Sequence, residues 1–201
     1  MVKQAKKKKQ NFFQVYGING VSNVIQAKKI NIVRIDIMVG GMAEKKSSVV
    51  NLSRNKFLPI HRISKAQFLK QYSGKRTQGI VVTFTSKILW DIPSFDKGAN
   101  NICLLAMDNV EDPQNLGQII RTAECAGIDG ILIPEHGNVQ ATNTVLQVSQ
   151  GAFIHLPLYH CGNLHQQLRN LKSQGFWVVG VENSIQAIYW HEFDYQRKLV
   201  I

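Results

Sequence analysis

From Ile102 onward the sequence alternates short unbroken apolar runs with segments of helical period, and few architectures accept that alternation. Ile102–Met107 is apolar throughout, the composition of a strand covered on both faces. Leu116, Ile119, Ile120 and Ala123 then repeat at i, i+3, i+4 and i+7, the stripe of one helix face, with Gly127 placed to end it. Gly130–Pro134 is a second apolar run, and Thr142 to Tyr159 reads as a further helix and strand. Leu164, Leu168 and Leu171 mark the next helix, which Gly175 stops; Phe176–Val181 is a strand, and Lys198–Ile201 opens one more. Strands and helices in this order predict a parallel sheet with right-handed crossovers, helices on both faces.

The first half is patterned differently. Val21, Val24 and Ile25 share a helix face, and Ile30 to Met38 alternates apolar with Asn31, Arg34 and Asp36, as a half-buried strand does. Leu58–Ile63 is a short strand. Ser64 followed by Gln67 is a capping-box signature, opening a helix with Ala66, Phe68, Leu69 and Tyr72 on its apolar face. Ser73-Gly74 closes that helix, and Ile80–Phe84 has buried-strand composition. The organisation expected is a basic flexible arm at 1–11, a small α/β domain at 12–84, a linker at 85–100 and a parallel-sheet domain at 101–201.

Charge divides along the same line. Residues 1–98 hold nineteen of the 24 Lys and Arg but four of the 13 Asp and Glu; the remainder holds five bases and nine acids. A basic half beside a mildly acidic half points to a polyanionic partner, RNA or DNA, although a solubilising tail has the same composition. Arg62, Lys65, Lys70, Lys75 and Arg76 are the candidate RNA-binding residues. Three cysteines, Cys103, Cys125 and Cys161, without a paired spacing fit reduced thiols. No segment approaches the ~20 apolar residues of a membrane helix and no apolar run of signal-peptide type follows Lys6–Lys9, so the expected location is cytoplasmic, with no membrane partner. His160, Cys161, His165 and His191 match no zinc spacing, and no metal is expected.

In an open parallel sheet, function gathers in the loops after strand carboxyl ends. The loop after Met107 is the richest: Asp108 to Gln114, then Asn115, Gly117, Arg121, Thr122 and Ala123. Read alone, Asn115 is a good helix N-cap and Arg121 an ordinary surface-helix cation; a pair of site residues is the other reading. Gly117 admits the close approach of a backbone or a ligand. The string D-x-x-x-D-P-x-N-x-G-x-x-x-R-T-A-x-x-x-G over 108–127 resembles the first motif of the SpoU/TrmH (SPOUT-class) RNA ribose 2′-O-methyltransferases. Ile131–Pro134, Ser149-x-Gly151-Ala152 and His155-Leu156-Pro157 are similar to that family as well. Val15–Ile18 and Gln78–Val82 resemble the ends of the L30-like substrate-binding domain that precedes the catalytic domain in its ribosomal RNA guanosine members.

The resemblance implies an L30e-like α/β domain followed by a SPOUT domain, an α/β knot in the intact family. It implies S-adenosyl-L-methionine as cofactor, RNA, foremost ribosomal RNA, as substrate, and a homodimer. Asn115 and Arg121 would be the catalytic pair, Arg121 activating the ribose hydroxyl electrostatically and Asn115 holding Arg121 and the loop. The family's cofactor-binding motifs are expected beyond Ile201; Gly180-Val181-Glu182-Asn183 resembles the second of them only superficially. Thr77, Ile154 and Gly137-Asn138 stand where the family often carries a His, an acid and Arg-Ser. The expectation is a truncated, unknotted domain with an uncovered sheet edge, inactive alone and without measurable S-adenosylmethionine binding. A non-catalytic RNA-binding fragment is the alternative; a small-molecule enzyme has neither a dinucleotide fingerprint nor a P-loop to support it.

Overall fold

The computed structural model describes residues 11–46, 49, 51, 58–96 and 101–201. The expected basic arm therefore lies, Asn11 apart, outside the described residues. The chain divides after Lys87 into two units, each with its own sheet.

The first unit carries β1 (Phe12–Tyr16), α1 (Ile18–Gln26), β2 (Asn31–Met38), α2 (Met42–Lys45), β3 (Ile60–Ile63), α3 (Lys65–Gln71) and β4 (Ile80–Thr85). Its sheet runs β1-β4-β2-β3; β4 is antiparallel to both neighbours and β2 is parallel to β3. Val21, Val24 and Ile25 of α1 are buried, as their spacing requires. Ser64 caps α3, accepting the Gln67 amide at 3.4 Å. Only Phe68 and Tyr72 of the expected α3 face are buried; Ala66 and Leu69 stand in solvent, because one turn and a half of contact is all this short helix makes. In β2 the register shifts between Ile32 and Arg34, turning Val33 outward.

Asp36 departs from the alternation more sharply. It is 1% exposed, because Tyr72 at the end of α3 lies over the strand face that the alternation assigns to solvent. Its carboxylate accepts from Arg34 Nε at 2.6 Å and from the Tyr72 hydroxyl. Burial, followed by the bond to Asp36, pushes the Tyr72 phenol well above its ordinary value.

The second unit contains β5 (Leu89–Asp91), β6 (Cys103–Ala106), α4 (Pro113–Cys125), β7 (Gly130–Pro134), α5 (Asn143–Val148), β8 (Leu158–Cys161), α6 (Leu164–Ser173), β9 (Trp177–Val178) and β10 (Leu199–Val200). All its strand pairs are parallel, in the order β5-β8-β7-β6-β10-β9. The expected doubly wound parallel sheet is what forms. On one face Leu104, Leu132, Tyr159 and Val200 pack with Leu171 of α6 and Phe176. α4 and α5 pack against each other.

Two expectations are corrected here. Residues 85–100 are not a linker throughout, since Leu89–Asp91 pairs with Leu158–His160 as an edge strand. Three residues have no periodicity to read, and the ladder to β8 alone makes them a strand; 97–100 lie outside the described residues. The strand expected over 176–181 shrinks to Trp177–Val178, which has a single neighbour, β10. Gly180–Asn183 follow that edge as exposed chain. The strand at Leu199–Val200, by contrast, is buried between β6 and β9. Lys198 beside it is 6% exposed and donates to the carbonyl oxygens of Asp96 and Gln174.

Candidate active site

The loop after β6 leads into α4, and local chemistry sets where that helix starts. Asp112 is the N-cap, its carboxylate accepting the Gln114 amide at 2.8 Å. Pro113 follows at the first helical position, where its fixed φ is suited and its missing N–H costs nothing. Asn115 is therefore not the cap but the third helical residue, with its side chain released. At the other end Ile128 donates to the Ala123 carbonyl and Gly127 to that of Glu124, a Schellman closure.

Leu116, Gly117, Ile120 and Ala123 form the buried stripe of α4. Gly117 is the closest approach: a Cβ there would stand 2.6 Å from Val148 Cβ and 3.0 Å from the Val145 carbonyl oxygen of α5. The glycine admits a neighbouring helix, not a ligand.

Along the opposite flank of α4 runs an open groove of about 670 Å³. Leu105, Val110, Ile119, Ala123, Ala126 and Ile128 give it an apolar lining, and Asn109, Glu111, Asn115, Gln118 and Thr122 its polar groups. Asn115, Gln118, Ile119, Thr122 and Ala126 recur at helical spacing, so this second face was legible in the sequence beside the stripe used to find the helix; Asn109 and Glu111 come from the loop and carried no such signal.

Asn115 thus faces the groove and Arg121 does not line it. At about 100° per residue the two lie about 120° apart around α4. Arg121 is exposed one turn beyond Gly117, and among the described residues no hydrogen bond joins it to Asn115. The expected arrangement, Asn115 holding Arg121, is not formed.

The five candidate RNA-binding residues come from one segment, β3 through the turn before β4, and all are exposed. Arg62 is partly neutralised by Glu44 at 3.5 Å. Lys75 sits over the Tyr16 and Tyr72 rings, 5.7 and 6.0 Å from their centroids. Among the described residues no group of three or more His, Cys, Asp and Glu could hold a metal, and no helix is long and apolar enough to cross a membrane. None of the three cysteines is in a disulfide, and burial pushes the Cys103 and Cys161 thiols up, away from thiolate chemistry.

Residues 103–201, from β6 to the last residue, match the model of the SpoU rRNA Methylase family. This part of the chain belongs to the SpoU rRNA methylase family. The SpoU match covers the groove, α4 and the whole 108–127 motif. The chain is 44% identical over 101 residues to a TrmH family tRNA/rRNA methyltransferase of Staphylococcus aureus, 50% of this chain and 41% of that protein. It is 27% identical over 177 residues to the 23S rRNA (guanosine-2′-O-)-methyltransferase RlmB of Xylella fastidiosa, 86% of this chain and 71% of that one. The chain spans less than half the length of the Staphylococcus relatives it matches.

Among solved structures, an RNA 2′-O ribose methyltransferase aligns at a TM-score of 0.74 and 19% identity, covering 96% of this chain and 71% of that one. The AdoMet-bound SpoU methyltransferase AviRb of Streptomyces viridochromogenes aligns at 0.70 and 16%, covering 94% and 71%. At those identities they establish the fold, and it is the SPOUT fold anticipated from the 108–127 motif.

Proposed function

We propose that this protein transfers a methyl group from S-adenosylmethionine to a ribose 2′-hydroxyl of RNA, with ribosomal RNA the first substrate to test. The observation that supports it is the SpoU motif standing at the carboxyl edge of a parallel sheet, where Asn115 opens onto a groove. The names of the Xylella and Staphylococcus relatives point to the same substrates, and AviRb is described as bound to AdoMet. In this reading residues 12–84 engage the RNA, 101–201 carry out transfer, the protein works as a homodimer in the cytoplasm, and Asn115 and Arg121 act from separate flanks of α4. Arg121, always charged, serves as an electrostatic partner for the hydroxyl or a neighbouring phosphate.

The groove does not make a donor site by itself. S-adenosylmethionine brings an ammonium and a carboxylate, and the groove lining offers Glu111 for the first but no Lys or Arg for the second. That observation favours a second reading, in which the described residues bind RNA without transferring a methyl group. Incubation of the protein with ribosomal RNA and labelled S-adenosylmethionine, followed by nuclease digestion, separates the two. Label in 2′-O-methylnucleosides is the expected result. Label in a base, or RNA binding with no label, would reject the transfer reading.

RNA affinity supplies a further prediction. Exchanging Lys65, Lys70, Lys75 and Arg76 for glutamine is expected to flatten the plot of log affinity against log salt, by about 0.7–0.9 for each phosphate that is no longer neutralised. Arg62→Gln is expected to change the slope less, because Glu44 already shares its charge. Titrations at several salt concentrations measure both.

A further inference from the structure

The loops that follow β6 and β7 are stitched together through one residue, Val110. Its amide donates to Asn138 Oδ1 at 2.9 Å, and its carbonyl oxygen accepts the Val139 amide at 2.9 Å. Asn138 is itself steadied by donating from Nδ2 to the His136 carbonyl oxygen at 3.3 Å. Beside this bridge, Asn109 sits in the left-handed region with φ 55°. Its carboxamide oxygen stands 2.6 Å from where a Cβ on Gly137 would lie. Gly137 is left-handed too, at φ 71°. The absence of a side chain at 137 and the carboxamide at 138 therefore act together: one clears the space that Asn109 uses, the other ties the next backbone amide.

Asn109, Val110 and Glu111 line the groove beside Asn115, so this bridge bears on the groove's shape. We propose that Asn138 is a positioning residue for the site: it holds the 109–111 loop, and with it the groove's polar groups, in place for the RNA. The inference rests on the transfer reading for its purpose but not for its geometry. The lock is built from Gly137 and Asn138 on one loop and Asn109 and Val110 on the other.

Amide hydrogen exchange on the full chain tests the geometry. Asn138→Ala is expected to speed exchange at Val110 and at Val139 about fivefold, the factor set by one hydrogen bond of ordinary net strength. Val139 is the informative site, since its own bond to Val110 is untouched by the substitution and weakens only if the loop lets go. Asn138→Asp keeps an acceptor oxygen for Val110 but loses the Nδ2 donation to the His136 carbonyl oxygen, and is expected to restore both rates in part. Gly137→Ala, which displaces the Asn109 carboxamide, is expected to release the loop independently. Val139 protection unchanged in Asn138→Ala would overturn the assignment. In methyl transfer, Asn138→Ala is expected to lower kcat about fivefold with the KM for RNA unchanged, and Asn138→Asp to recover part of it. A rise in KM with kcat unchanged would also overturn it, since it would make Asn138 an RNA contact. Absence of transfer by the unmodified protein would remove the enzymatic reading, while the exchange rates would still decide whether Asn138 locks the loop.

Discussion

Arg34→Leu is expected to destabilise the first unit by about 2–3 kcal/mol, somewhat less than the roughly 3–5 kcal/mol of breaking a fully buried ion pair. Asp36 is almost fully buried and its carboxylate is held by two donors, Arg34 Nε and the Tyr72 hydroxyl. Removing the guanidinium leaves a charge that α3 keeps from water. The cost stays below the extreme because the Arg34 side chain is 42% exposed, so water can partly replace it. Arg34→Leu combined with Asp36→Leu is expected to recover most of the loss, as an apolar pair in place of an ion pair often does. Denaturant unfolding of the two variants measures it; equal stability of Arg34→Leu and the unmodified protein would show that the pair contributes nothing. The same network gives a pH dependence. The folded state raises the Tyr72 pKa above its ordinary 10, so it binds the phenolic proton more tightly than the unfolded chain does. That stabilisation is complete below pH 10 and is lost as pH rises beyond it. Tyr72→Phe is expected to remove this alkaline loss while lowering stability at neutral pH, and unfolding at pH 8 and pH 11 reads both effects.

Gly117→Ala is expected to cost the second unit about 1–3 kcal/mol. The sign is not obvious, because alanine is better than glycine inside a helix by about 1 kcal/mol. Packing decides it. A methyl group at 117 would meet Val148 Cβ at 2.6 Å and the Val145 carbonyl oxygen at 3.0 Å. The valine side chain is branched at the point of contact and the carbonyl is backbone, so neither can swing aside and α4 must move off α5. Val148→Ala in the same chain is expected to return part of the loss by removing Val148 Cγ1, which would stand 2.8 Å from that methyl group, while Val148 Cβ stays in place. A melting temperature for Gly117→Ala at or above that of the unmodified protein would show that the helices separate at no cost. The displaced helix also carries Asn115 and the groove, so a stable variant would be the cleaner test of whether α4 position matters to RNA.

Much of the second unit is legible in the sequence. Ile102–Met107, Gly130–Pro134 and Leu199–Val200 read as buried strands because a strand covered on both faces has no polar residue to spare. The helix over 113–125 reads as one because Leu116, Ile120 and Ala123 recur at its period, and Gly127 marks its end. Its start is the part that reads wrongly: Asn115 and Asp112 are both good caps, and Pro113 decides between them. Leu69 reads as part of the α3 core but is exposed, because a stripe of period 3.6 does not reveal how wide a face the neighbours will cover.

The sequence by itself determined the alternation of strand and helix from Ile102 onward, the caps at Ser64 and Gly127, the basic and acidic halves, and the 108–127 motif, each legible from local spacing or composition. Tertiary structure alone decided that Leu89–Asp91 is a strand, that Asp36 is buried, that Gly117 serves α5, and that Asn115 lines a groove while Arg121 does not. Each of these depends on what another part of the chain lays against the residue. A local pattern records the period of a face, not the partner that covers it.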